Sequence, residues 1–288
     1  MDNHVVAVGT ALVVLILCSC SQAPERLSPA AGRAALAPAP DAQEAGRALA
    51  NGDALYFVGN SYMGNRSGVY AYLRKAASVA DPPMTIRTKA SIFWGKGLQA
   101  MNTPEVRDAI ESGKCGRVVI TSGDLATMKE FDSLIRENGL QTVVFMTWAG
   151  RHPGHQATPE EYREATARSV ETMRQMEAET GAVVVPIAVV YYDLTVRPAR
   201  EGLREDYLWD PANIHQNELG IVVNSWVLYS VLAGKSPVGL DYDLPPHVVG
   251  TKLVNNPDIV FDEALRRELQ ERVWKIVQQW QAGETEFD

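Results

Sequence analysis

The sequence predicts an α/β fold: a three-layer α/β/α sandwich around a parallel sheet of about five strands. Two observations carry this. From residue 53 onward, short apolar runs alternate with longer helical stretches, the order that parallel strands joined by crossover helices require. Runs such as Thr142-Val143-Val144-Phe145-Met146 are also apolar at nearly every position, as a strand covered on both faces must be. Composition allows such a core, because 46% of the 288 residues are hydrophobic. The formal charge of -8, with no run of Lys or Arg, argues against a nucleic-acid binder.

The N-terminal segment reads as a separate unit. Val5 to Leu17 is almost wholly apolar. It is too short for a membrane span and suits the core of a signal peptide, although no Lys or Arg precedes it. It ends in Leu17-Cys18-Ser19-Cys20, which resembles a bacterial lipoprotein processing box. That resemblance implies residues 1–20 as an export signal, with Cys20 lipidated as the first mature residue. The expected location is then outside the cytoplasm, held to a membrane by a lipid anchor. Residues 21–52 are rich in Ala and Pro and poor in large apolar side chains, so they read as a disordered tether, with a short helix possible near Arg47 to Asn51. Residues 53–288 are read as a single domain.

Within that domain, strand-length apolar runs are expected at Ala54 to Val58, Met84 to Thr88, Arg117 to Thr121, Gln141 to Thr147 and Ala182 to Val190. Helices are expected at Ser67 to Val79, Leu98 to Ser112, Leu125 to Asn138 and Pro159 to Thr180. The last has a complete start signal: Thr158 as N-cap, Pro159 in the first turn and Glu161 closing a capping box. Two more helices follow. Glu218 to Ala233 stops at Gly234, and Glu263 to Gln281 carries Leu265, Leu269, Val273, Ile276 and Trp280 on one stripe.

Two short segments carry candidate chemistry. The first strand ends in Gly59-Asn60-Ser61, and ligands of open α/β sheets bind beyond the carboxyl ends of the strands. Ser61 at that edge reads either as a nucleophile, with its own N–H helping to hold an oxyanion, or as the cap of the next helix. Far along the chain, "LWDPANIHQNELG" places His215 just before a helix, with Asp206 and Asp210 nearby. A serine hydrolase needs such a base, and an acid to orient it.

Taken together and in this order, these segments resemble the SGNH (GDSL-like) hydrolase family, in particular its bacterial branch with Gly-Asn-Ser in the first block. "VVFMTWAG" (143–150) resembles that branch's fourth strand and "VVVPIAVVYYDL" (183–194) its fifth; the likeness spans about residues 53–240. The resemblance implies a flavodoxin-like α/β/α sandwich and an esterase or acyl-transfer activity, mostly on O-acetyl or other esters, without a metal or other cofactor. It assigns Ser61 as nucleophile and His215 as base. It matches the oxyanion glycine to Gly97, with Gly95 as the alternative. Two family features are missing. No Asn or Gln follows strand three, where "VVITSGDL" has Thr121 and Ser122, and Ala212 stands where the acid usually lies three residues before the histidine. Asp210, five before, replaces it if the loop bends at Pro211; otherwise His215 leans on a backbone carbonyl as a dyad.

The partners expected are therefore an ester-bearing small molecule or an acetylated glycan. The alternatives are an O-acyltransferase or a non-catalytic glycan-binding lipoprotein on the same scaffold. Asn60, Trp148 and His152 are further candidate substrate contacts. Trp94, Trp148 and Trp209 read either as core or as a sugar-stacking wall. His152 and His155 flank a Pro-Gly turn with no third ligand nearby, which argues against a metal site. Gly95-Lys96-Gly97 lacks the spacing of a phosphate loop. Cys115 reads as a small buried apolar residue.

Overall fold

A computed structural model describes residues 48–65, 67–148, 158–197, 199, 201–203, 206–210, 215–242, 252–253 and 256–284. Five parallel strands form the sheet: β1 (Ala54–Gly59), β2 (Arg87–Ile92), β3 (Arg117–Thr121), β4 (Gln141–Phe145) and β5 (Val183–Val185). Their spatial order is β2-β1-β3-β4-β5, with every pairing parallel. This is the flavodoxin-like order, and its topological switch point lies between β1 and β3. Residues 55–59 and 117–121 are buried throughout, so both faces of the central strands are covered.

The covering helices are α2 (Val69–Ser78), α3 (Pro104–Glu111), α4 (Leu125–Glu137), α5 (Pro159–Thr180), α6 (Ile187–Val196), α7 (Glu218–Ala233) and α8 (Glu263–Gln281), with a single turn, α1 (Ser61–Gly64), directly after β1. Helix α7 packs between α2 and α8, and α4 packs between α3 and α5. Helix α7 is buried on nearly its whole circumference, which is why its sequence shows no amphipathic stripe. Helix α5 begins with the capping box of Thr158 and Glu161, and α7 ends on Gly234 in the left-handed region.

Four expectations about elements need correction. The run 182–190 is not one strand: β5 stops at Val185, Pro186 cannot continue the ladder, and Ile187–Val196 is helical. Strand β2 starts later than Met84 because it is the half-exposed sheet edge; Met84 and Ile86 are buried in the approach to it. The stretch 98–112 breaks into a 3-10 turn, Leu98–Met101, and α3, whose N-cap Thr103 and Pro104 start a new helix. A short antiparallel pair, β6 (Lys252–Leu253) with β7 (Asn256–Val260), was not expected.

The domain also begins earlier than residue 53. Leu49 is buried, and its N–H donates to the Leu232 carbonyl of α7 at 2.6 Å. The end of the expected tether is therefore anchored on the core, and residues 48–50 are not helical. The signal segment, Cys20 and the rest of the tether lie outside the described residues. No described helix is long and apolar enough to cross a membrane.

Candidate active site

The carboxyl ends of the strands share one edge, since Gly59 pairs with Ile92, Thr121 with Phe145, and Phe145 with Val185. Strand β1 reaches this edge beside the switch point and hands the chain to α1. A Cβ at Gly59 would lie 2.0 Å from Met63 Sδ, so the glycine is what lets the buried Met63 fold back onto the strand end. Asn60 is the N-cap of α1: its Oδ1 accepts from the Tyr62 N–H at 3.1 Å. Its Nδ2 donates to the Lys96 carbonyl at 3.5 Å. Asn60 thus caps α1 and lies beside the loop of Lys96. With Asn60 as the cap, Ser61 is not needed for capping. Ser61 stands at the first helical position, 8% exposed, and its N–H has no acceptor among the described residues.

Gly97 sits on the loop that Asn60 holds. Its φ of -78° is ordinary, and a Cβ there would meet nothing within 4 Å. Gly95, the alternative, has φ +67° and serves the turn instead. Trp94, on the same loop, is 60% exposed, whereas Trp148 and Trp209 are buried. Trp148 stacks on Tyr191 at 4.8 Å and meets Tyr62 and Trp209 edge-on. It is thus packed among these rings, beside the turn that begins at Ser61. His152 lies outside the described residues.

Ser122 does not replace the missing donor after strand three. Its hydroxyl accepts the Thr147 N–H at 3.1 Å and lies 2.7 Å from Thr147 Oγ1. It binds the ends of β3 and β4 together.

His215 is brought to this edge by a small antiparallel pairing that spacing alone does not reveal. Trp209 bridges Gln216, the Asp210 N–H donates to the His215 carbonyl at 2.8 Å, and the Asn217 N–H donates to the Leu208 carbonyl at 2.9 Å. In this register Asp210 stands directly opposite His215, and such residues have Cβ atoms about 4.5–5.5 Å apart on the same face. A separation of five in sequence therefore becomes adjacency in space. Burial pushes the His215 pKa below its ordinary value, and the Asp210 carboxylate partly offsets this. Asp210 is the carboxylate set beside His215 by the pairing. An imidazole of lowered pKa is neutral near pH 7 and available as a base.

The pairing is fastened to the turn that begins at Ser61. Gln216 Nε2 donates to the Tyr62 carbonyl at 2.7 Å, and Asn65 Nδ2 donates to the Gln216 carbonyl at 3.2 Å. The Tyr62 and His215 rings lie 5.7 Å apart, centroid to centroid. The histidine segment is thus held against α1, which begins at Ser61, although no direct Ser61–His215 hydrogen bond occurs among the described residues. Sequence reading missed Gln216 and Asn65, because isolated amides carry no motif.

Cys115 is free and half-buried, not fully buried as expected; burial raises its thiol pKa, with Lys89 opposing, so it stays protonated and unreactive.

No protein-family model matches the sequence, and no curated protein does. Among solved structures, a DUF4886 family protein from Bacteroides uniformis superposes with a TM-score of 0.60 at 11% identity, over 82% of this chain and 97% of that one. An acetyl-xylooligosaccharide esterase mutant and an acetylxylan esterase catalytic mutant, both Axe2 from Geobacillus stearothermophilus, give TM-scores of 0.48 and 0.49 at 15% and 16% identity. Each covers 67% of this chain and 99% of its own. The first likeness supports the α/β fold; the Axe2 likenesses are too loose to carry an argument.

Proposed function

We propose that the chain is a serine ester hydrolase. The observation that carries this is the fastening of the Asp210–His215 pair to the turn that begins at Ser61, at the switch point of a parallel sheet. In the reaction, Ser61 Oγ attacks the ester carbonyl carbon while His215 takes the hydroxyl proton. The N–H groups of Ser61 and Gly97 hold the oxyanion. The bond to the leaving alcohol then breaks, and His215 returns the proton to that alcohol. Water, activated by His215, hydrolyses the acyl-serine; a second hydroxyl in place of water makes the same step an acyl transfer. Asp210 orients the ring and stabilises the imidazolium. Closure from the observed arrangement to a Ser61–His215 hydrogen bond on substrate binding is part of the proposal.

The acyl group we propose is an O-acetyl on a carbohydrate. Trp94 supports this: an indole that exposed, on the loop that carries Gly97, offers an apolar face to a sugar ring. Release of acetate from an acetylated oligosaccharide is the assay. The enzyme reading itself is tested by Ser61→Ala on p-nitrophenyl acetate. Equal hydrolysis by wild type and variant rejects Ser61 as nucleophile.

The absence of an Asn or Gln donor after β3, with Ser122 engaged by Thr147, favours a second reading: a glycan binder without turnover. Glycan affinity with no reaction toward a fluorophosphonate probe would select it. We also propose export and lipidation at Cys20. Incorporation of labelled palmitate, lost in Cys20→Ala, tests this.

A further inference from the structure

The segment after His215 raises a question of energetics. Gln216 is fully buried, and its Oε1 has no hydrogen-bond partner among the described residues. An unmatched buried polar atom costs about 1–3 kcal/mol. An apolar side chain of the same length would avoid that cost, so packing does not explain a glutamine here. What the glutamine supplies is reach: its Nε2 arrives at the carbonyl of Tyr62, the residue next to Ser61, across 154 positions of sequence.

Backbone geometry completes the arrangement. Gln216 and Trp209 form the non-hydrogen-bonded pair of the bridge, flanked by the Asp210–His215 and Leu208–Asn217 bonds. The C=O of such a residue points outward from its partner strand. Outward is where Asn65 Nδ2 meets it, at 3.2 Å. The two amides therefore bond reciprocally: Gln216 reaches the start of the nucleophile turn, and Asn65, at the end of that turn, reaches back. The Asn65 N–H also donates to the Ser61 carbonyl at 2.8 Å, so the clamp closes on the serine's own residue. At the other side, a Cβ on Gly220 would come within 2.5 Å of the Leu208 carbonyl and 2.8 Å of Gln216 Cβ, so α7 backs the pairing closely.

We infer that Gln216 and Asn65 are positioning residues, a reciprocal amide clamp that sets the separation of His215 from Ser61. The inference rests on the Ser61–His215 reading above. The clamp performs the task that the usual short acid-to-histidine spacing leaves open in this chain. It fixes the base by tying its backbone to the nucleophile turn, while Asp210 acts on the ring from the opposite strand. Among the described residues, Asp210 across the pairing and Tyr62 from α1 face the His215 ring.

The test uses Gln216→Met, which preserves length and apolar packing, and Asn65→Ala, which removes one of the two bonds at a half-buried position. Three readouts are taken on the full chain: kcat and KM on p-nitrophenyl acetate, the His215 titration by NMR, and Tm. The clamp predicts that Gln216→Met lowers kcat about 10–100-fold with KM nearly unchanged, the scale of a misplaced catalytic group. Asn65→Ala should lower it less. In both variants the loosened ring becomes more hydrated, so the His215 pKa rises toward its ordinary value. A merely structural role would lower Tm and leave kcat per folded molecule and the His215 titration where they were; that result overturns the inference. If Gln216→Met does not fold, Asn65→Ala decides by the same readouts. If the wild type is inert toward both the ester and a fluorophosphonate probe, the hydrolase reading fails. The NMR titration then still judges the clamp: an unchanged His215 pKa in both variants refutes it, and a raised one supports it.

Discussion

The two ends of the sheet are built to different rules. At the amino ends, Arg117 pairs with Asp53 at 2.8 Å and donates to Gln141 Oε1 at 2.8 Å, while Asp53 also accepts the Ala50 N–H at 2.9 Å. The buried charges there are matched by partners on β3, β4 and the segment entering β1. At the carboxyl ends the accounting stays open. The Ser61 N–H has no acceptor and Gln216 Oε1 no donor among the described residues, and His215 is held below its ordinary pKa. A closed network stabilises and does nothing else. An open one leaves polar groups available to a ligand, which is what the proposed function requires. Unmatched buried polar atoms also occur at Thr88 and Thr142 near the amino ends and at Asn224 in α7, so what sets the carboxyl edge apart is the grouping of Ser61, Asp210 and His215 beside the switch point.

If the contrast is sound, substitutions at the two ends should separate activity from stability. The largest activity effect belongs to Ser61→Ala, with ester hydrolysis falling by about 10⁴-fold or more and Tm nearly unmoved. Next comes Asp210→Asn, where kcat/KM should drop about 10²–10⁴-fold, less where solvent already reaches the ring. Without the carboxylate the His215 pKa falls further, and the acid limb of the pH profile moves to lower pH. Steady-state kinetics across pH measure both. A wild-type profile in Asp210→Asn would return His215 to a dyad.

The Gly97 assignment can be sharpened by a matched pair. Gly97→Ala keeps the N–H and has open space, so activity should persist. Gly97→Pro fits the observed φ of -78° but removes the donor, and kcat should fall about 10²–10³-fold. Equal kinetics for the two variants would remove Gly97 from the oxyanion site.

At the other end, Arg117→Ala removes the guanidinium that faces the buried Asp53 carboxylate, a loss of about 3–5 kcal/mol. For a domain of this size that is a fall in Tm of roughly 6–20 °C, with activity per folded molecule retained. Calorimetry alongside a titrated active-site count would expose any coupling between the two ends.

The smallest effect is the pH dependence of the wild type. Because burial lowers the folded-state pKa of His215, the base stays neutral below about pH 6.5, and the acid limb of kcat/KM should have its midpoint under that value. The same sign governs stability. The unfolded chain binds the proton more readily, so His215 destabilises the fold as pH falls from the unfolded pKa toward the folded one and has no such effect above it. A limb at or above the ordinary histidine value would reject burial as the dominant influence.

Much of this was legible in the sequence, for identifiable reasons. β3 and the helices α5, α7 and α8 match their expected bounds, because their signals are local: a run buried on both faces, the Thr158 capping box, Gly234, and an apolar stripe. The reading failed where local pattern is ambiguous. Val183 to Val196 is apolar almost throughout, so period cannot separate strand from helix, and only Pro186 marks the change. β2 lacks a strong run because the sheet edge needs none on its open side. Ser61 and His215 stand out as candidates through motif order. The pairing that sets Asp210 opposite His215, and the amides that fasten it to α1, are tertiary facts with no short sequence signature.

The most direct measurement is mass spectrometry of the protein after exposure to a fluorophosphonate probe. The account predicts one adduct on the peptide that contains Ser61, absent in Ser61→Ala and formed much more slowly in His215→Ala. A folded protein that takes no adduct, or takes it on another serine, would contradict it.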